Sequence, residues 1–209
     1  MATLSMNTVI HGAVRRDLRR FLAALDSFRD GDRARGAQLA TAWDNFDDQL
    51  TRHHEGEHEI AWPALEAVGV PRTVIAAMDE EHERLARALA SAGAAMATLR
   101  RTASAADAAA ARDDMARLQA VAVEHLDHEE AEIEPIYLSK QDDPAIKAMG
   151  RRFGRTSLPV AGTFFAWVVD GATPEEMSGV RQNVPAPVRA IIGGIFGRRY
   201  RREIAPVWR

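Results

Sequence analysis

Four stretches in the first two-thirds of the chain repeat apolar residues every three or four positions, the period of a helix that buries one face. The first runs from about Met6 to Arg29 through Val14, Leu18, Phe21, Leu22 and Leu25, and closes at Asp30-Gly31. The second starts near Ala37 and carries Leu39, Trp43, Phe46, Leu50, His53, Glu57 and Ile60 in one ladder, with Pro63 near its end. The third opens at Pro71, a favoured first-turn residue, and continues through Ile75, Met78, His82, Leu85 and Leu89 to about Leu99. The fourth spans about Ala106 to Glu134 through Met115, Leu118, Val121, His125, Glu129 and Ile133, after a loop in the alanine-rich stretch from Ala103. Short links between long amphipathic helices make sequential neighbours antiparallel. The pattern therefore predicts an all-α, up-down-up-down four-helix bundle over residues 1–140, followed by additional C-terminal helices over residues 141–209.

The ladders contain residues that do not belong in an apolar stripe. His53 and Glu57 are four apart, as are His125 and Glu129, so each pair shares a helix face. The two pairs match at an offset of 72, and Pro63 and Pro135 follow them at the same distance. His11 precedes His53 by 42 residues and His82 precedes His125 by 43. The chain thus repeats one unit, a helix carrying His and then a helix carrying His-x-x-x-Glu. Buried polar groups cost a few kcal/mol each when they lack partners, and buried charges cost more. Six such groups on the inner faces of four helices need a common explanation, and a dinuclear metal site supplies one. His54 adjoins His53 and lies within a turn of Leu50 and Glu57, so it is either a seventh ligand or a group behind the ligands. His58 and His128 lie beside the ladders without a repeat partner and read as solvated or hydrogen-bonded side chains. Tyr137, two residues past Pro135, falls near the end of the bundle.

Composition narrows the metal. The chain has 209 residues and no cysteine, which excludes thiolate-ligated zinc, iron–sulfur clusters and disulfides. Nitrogen and oxygen ligands suit iron, manganese, zinc or copper. No basic n-region with an apolar h-region opens the chain and no run is long enough to span a bilayer, so a cytoplasmic protein is expected. Charge is uneven: residues 141–209 carry 11 Lys+Arg against 6 Asp+Glu, and the remainder 16 against 24. The basic tail lacks any recognised nucleic-acid motif and the rest is acidic, so no nucleic-acid partner is expected. Its apolar run at Ile191, Ile192, Ile195 and Phe196 precedes Arg198, Arg199, Arg201 and Arg202. Packing over the bundle or a homodimer contact is the favoured reading of that segment, ahead of contact with anionic lipid.

The histidine in the first helix, HHEGEHEIAWP in the second, EHERLARAL in the third and HLDHEEAEIEP in the fourth resemble the hemerythrin family, in its bacterial HHE cation-binding branch. The resemblance covers about residues 5–138. It implies two iron ions, with manganese or a mixed pair as alternatives. His11, His53 and Glu57 would serve one ion, His82, His125 and Glu129 the other, and the two glutamates with an oxo, hydroxo or water ligand would bridge. The oxygen carriers of the family have a histidine where this chain has Met78, and an aspartate five residues after the fourth-helix histidine where this chain has Glu129 at four. A site poorer in imidazole argues against plain reversible oxygen carriage. The resemblance implies a centre that reacts with peroxide, nitric oxide or O2 in redox defence, served by an electron donor that the sequence does not identify. The alternative is an O2-, NO- or iron-binding sensor or storage module without turnover.

Overall fold

The structure, a computed structural model, describes residues 4–209, and those residues contain helices and turns but no strand. Four long helices form the bundle: α1 Met6–Asp26, α2 Arg33–Gly56, α4 Arg72–Thr102 and α5 Ala105–Glu132. A short α3, Trp62–Ala67, lies between the second and third of them. Around the square, α1 packs on α2 and α5, and α4 packs on α2 and α5. The shared interior holds Leu18, Phe21, Leu39, Phe46, Leu50, Leu85, Met96, Leu99, Met115 and Leu118, all fully buried. These are the residues of the apolar ladders, so burial of one stripe per helix accounts for the bundle.

Local signals set the helix ends. Ser5, Asp32 and Ser104 accept from backbone N–H groups three residues on, and so cap α1, α2 and α5. The second helix begins at Arg33, earlier than its apolar ladder, because Asp32 supplies the cap. The reversal between α4 and α5 needs a single left-handed residue, Ala103 at φ 53°. Its carbonyl accepts from the Gly31 N–H at 2.7 Å, tying the two turns at that end of the bundle together.

At the other end, α2 does not simply stop before its proline. It widens into a π-helical segment, Glu57–Ala61, and resumes as α3. Pro63 cannot donate a hydrogen bond to the preceding turn and its ring crowds that turn, so the helix absorbs the misfit by loosening its register. Pro135 does the equivalent downstream: α5 ends at Glu132 and α6, Glu134–Ser139, follows with a break at Ile133. The next helix, α7 Pro144–Phe153, packs on α3. Together they bury Trp62, Leu65, Ile75, Met78, Ile133 and Ile146 in a second apolar cluster separate from the main one.

Beyond α7 come α8 Leu158–Val169, α9 Pro174–Asn183, α10 Ala186–Ile191 with a π-helical continuation to Phe196, α11 Arg198–Glu203 and a closing 3-10 turn. A capping box between Thr173 and Glu176 opens α9. These elements dock on α1 through a buried polar clasp. The Asp17 carboxylate accepts from Trp167 Nε1 at 2.8 Å and from the Arg20 guanidinium at 3.0 Å. Arg16 donates to the carbonyls of Trp167 and Val168, the last turn of α8. Arg20 and Tyr200 both donate to Asp170. Among the described residues, no helix is long and apolar enough to cross a membrane.

Candidate metal centre

Between the two apolar clusters the ladders turn polar, and there the four long helices bring their histidines together. His11 comes from α1, His53 and His54 from the last turn of α2, His82 from α4 and His125 from α5; Glu57 opens the π-helical segment and Glu129 lies one turn past His125. Glu57 is 4% exposed and opens the π-helical segment, a kind of turn that recurs at functional sites.

Two overlapping groups of ligand atoms result. His11, His53, Glu57 and Glu129 form one, and His54, Glu57, His82 and His125 the other, with the atoms of each within 4.8 Å of one another. Glu57 belongs to both: Oε1 lies 3.0 Å from His53 Nε2 and Oε2 lies 3.3 Å from His82 Nε2. Glu129 Oε2 lies 3.2 Å from His11 Nε2 and 3.9 Å from His125 Nε2. Each glutamate therefore reaches one imidazole of either group. This grouping differs from the division expected from sequence, which put Glu129 with His82 and His125.

The second group also contains His54. Its ring centroid lies 4.3 Å from that of His82 and 5.6 Å from that of His125. Met78 is fully buried in the second apolar cluster, and the second group draws its third imidazole from position 54. Together the two groups hold five imidazoles and two carboxylates. His58 and His128 stand outside both groups. His58 is exposed and 3.3 Å from Asp79, and His128 is bonded to Glu81 at 2.7 Å. Tyr137 is half-buried against the second cluster, where burial and then Glu134 raise its pKa.

What these atoms lack is a partner. Among the described residues, His11 Nε2, His53 Nε2, His54 Nε2, both carboxylate oxygens of Glu57 and Glu129 Oε2 are buried and make no hydrogen bond. They approach one another without hydrogen-bond geometry. Orphaned buried acceptors cost about 1–3 kcal/mol each, more when charged, so an assembly of six is unfavourable unless a cation fills it. The residues present fit such a cation: imidazole and carboxylate donors suit first-row transition metals.

Protonation in the ion-free bundle agrees. Burial pulls His53 down to about 3, with the charge of His11 adding to it, and burial with the charge of His125 pulls His82 down to about 4. His54 is pushed well below the ordinary histidine range by the same causes. Burial also lowers His11, but the carboxylates of Glu129 and Glu130 outweigh it and hold the ring up to about 9. Burial and the neighbouring Glu129 raise Glu57 far above the ordinary carboxyl range. Burial would raise Glu129 too, yet His11 overrides it and draws the group down to about 2. The raised His11 and Glu57 thus hold protons more firmly at positions where a metal would supply positive charge.

Supporting groups that the sequence patterns had not singled out surround the centre. Glu130 accepts from His11 Nδ1 at 2.8 Å and from Arg15, while Glu81 accepts from His125 Nδ1 at 3.0 Å and from His128. Each group therefore has one imidazole backed by a carboxylate. Trp62 lies nearly parallel to His82, at 5.8 Å between centroids, and donates Nε1–H to Asp79 at 2.9 Å. Adjacency to the ligand motifs (Glu81 before His82, Glu130 after Glu129) was the available signal for the first two.

In comparisons with known proteins, the family model described as Hemerythrin HHE cation binding domain matches residues 8–137. No curated protein and no solved structure matches the chain.

Proposed function

The chain belongs to the hemerythrin HHE cation-binding family, and from that premise we propose that its bundle holds two iron ions and reacts with small oxidants: peroxide, nitric oxide or O2. His11 and His53 would hold one ion, His54, His82 and His125 the other, with Glu57 and Glu129 shared between them. The observation that carries this reading is the set of six buried nitrogen and oxygen atoms that face one another without hydrogen-bond partners. Iron held in this way supplies Lewis acidity and one-electron chemistry to a small molecule bound beside it. The chain's own part is to exclude water, with the main core on one side and the Trp62–Met78–Ile133 cluster on the other. Glu81 and Glu130 fix which ring nitrogen of His125 and His11 faces inward.

Metal analysis and an optical spectrum of protein purified in air test the centre itself. About two irons per chain with ferric oxo-bridge absorption is the expected result. Peroxide-dependent O2 evolution and NO consumption by iron-loaded protein test the reactivity, with His82→Ala as the control; turnover no greater than that of this variant overturns the enzymatic reading.

A second reading is supported by the origin of the ligands, which come from all four long helices, so metal binding and bundle stability are coupled. The protein would then bind O2, NO or iron as a sensor or store without turnover. Spectra of the reduced protein exposed to air separate the two. A long-lived oxygenated species favours binding, and rapid irreversible oxidation favours reactivity.

A further inference from the structure

Of the C-terminal elements, α8 and α9 pack directly on α1 of the bundle, and the helix that follows them packs on α8. The continuous helix from Ala186 to Phe196 turns Ile192 and Phe196 toward α8 and the core. Glycine makes that contact intimate. A Cβ at Gly162 of α8 would fall 2.2 Å from Phe196 Cβ, and one at Gly193 would fall 3.0 Å from the Phe165 ring. The opposite face of the same helix carries Val188, Ile191 and Ile195, spaced by three and four, and they are 43%, 50% and 57% exposed. Leu158, at the start of α8, is 52% exposed. These four make up most of the large exposed apolar side chains among the described residues. A helix apolar on both faces is one that is covered on both faces, yet in a single chain only one of them is.

The charges around this face indicate what covers it. From Met177 to Arg202 the sequence has six arginines and neither Asp nor Glu, and the one acid that follows, Glu203, pairs with Arg199 and Arg202 and leaves an excess of positive charge. Arg198 and Arg199 follow Ile195 by three and four residues, and both are exposed. Arg201 donates to the carbonyls of Gly193 and Gly194, which places its guanidinium beside the same turn. The segment before α8 repeats the composition, with Lys147, Arg151, Arg152 and Arg155 and no acid from Pro144 to Val169. A two-fold contact with a second copy would set this arginine-rich surface against itself. An anionic phospholipid surface accepts both features at once, taking the isoleucines into its acyl boundary and the arginines among its headgroups.

We propose that the Val188–Ile191–Ile195 face with its flanking arginines is a peripheral docking surface for anionic membrane, so that the metal-binding bundle is held at a lipid surface without spanning it.

Co-sedimentation of the full chain with phosphatidylcholine vesicles, alone or mixed with phosphatidylglycerol, tests this at low and at high salt. The expected result is binding that requires the anionic lipid, weakens as salt rises, and is lost in an Ile191→Glu/Ile195→Glu variant. Both side chains are half exposed, so the variant should keep the parent's helical content and melting temperature. An Arg198→Glu/Arg199→Glu variant should bind about tenfold more weakly or worse, since each arginine at an anionic surface strengthens partition severalfold. No binding to anionic vesicles overturns the proposal. So does undiminished binding by the double-isoleucine variant. Light scattering decides the rival occupants: a dimer that Ile191→Glu/Ile195→Glu dissolves, with no lipid binding by the parent, assigns the face to self-association. Binding of an acidic protein but not of lipid likewise overturns it.

Discussion

Glu130 accepts a hydrogen bond from His11 Nδ1 at 2.8 Å, and His11 therefore presents Nε2 to Glu129 and the centre of the bundle. Glu81 stands in the same relation to His125, at 3.0 Å. Each carboxylate is anchored from outside as well, Glu130 by Arg15 and Glu81 by His128. A ring held this way loses the freedom to flip and gains basicity at the inward nitrogen.

Removing either support should weaken metal binding without unfolding the bundle. Glu130→Ala and Glu81→Ala are expected to lower affinity by about 10–100-fold, read by competition against a chromophoric chelator. Wild-type affinity in both variants would show that packing alone orients the two rings.

Protons and metal compete for the same atoms, and the sign of that competition is fixed by which groups hold protons in the ion-free bundle. His11, held up to about 9, is protonated at neutral pH, and Glu57 is shifted the same way, toward its protonated form. Metal uptake at neutral pH should therefore release protons, and affinity should climb as pH rises through the range in which His11 gives up its proton. Calorimetry in buffers of different ionisation enthalpy measures the release directly.

The same groups predict how the ion-free protein responds to pH. Stability contributed by His11 is full below its unfolded value near 6.5 and is lost as pH rises through about 9. His53 and His82, lowered to about 3 and about 4, act in reverse: the unfolded chain takes up protons that they refuse, so acidification below 6.5 destabilises. Chelated protein should thus lose stability on both sides of about pH 6, while metal replaces the protons and removes the alkaline loss. Denaturant titrations with and without chelator check this, and a steady gain in ion-free stability from pH 6 to 9 would contradict the protonated state assigned to His11.

The clasp between α1 and α8 is expected to be costly to break. Asp17 is 1% exposed and is the shared acceptor for Trp167, Arg20 and Arg16. Asp17→Ala leaves the Trp167 indole N–H without its acceptor and the buried Arg16 guanidinium without its adjacent carboxylate, which should cost about 3–5 kcal/mol and lower Tm by about 10 °C. Asp17→Asn keeps an acceptor for Trp167 and should cost less. Thermal melts combined with limited proteolysis of the C-terminal elements measure both effects.

The bundle was legible because its signal is repeated: four long ladders, each with two or more large apolar side chains that prove fully buried, and turns marked by Asp30-Gly31, Pro71 and the alanine-rich stretch from Ala103. The doubled His-x-x-x-Glu pattern likewise picked out six of the seven groups at the centre. Periodicity gave less guidance at Pro63, where a regular helix would have continued past Glu57 without widening. The π-helical turn that resolves the clash is a response of the backbone, and no residue count encodes it. The clasp was illegible for another reason. Asp17, Arg16 and Arg20 form a charged run that reads as a solvated face until Trp167, 150 residues away, covers it.

His54 is where sequence left two answers and the geometry separates them by experiment. Its Nε2 is buried, lacks a hydrogen-bond partner, and lies in the group with Glu57, His82 and His125. If it binds metal, His54→Ala should lower occupancy of that group selectively, moving the iron content from about two per chain toward one, while His11, His53 and Glu129 keep theirs. His58→Ala, one turn along the same stretch but exposed and bonded only toward Asp79, should leave the content unchanged. Metal analysis of the two variants side by side, with far-ultraviolet circular dichroism to confirm that both remain helical, makes the comparison. Equal iron in His54→Ala and the parent would place His54 behind the centre and return the second group to three protein ligands.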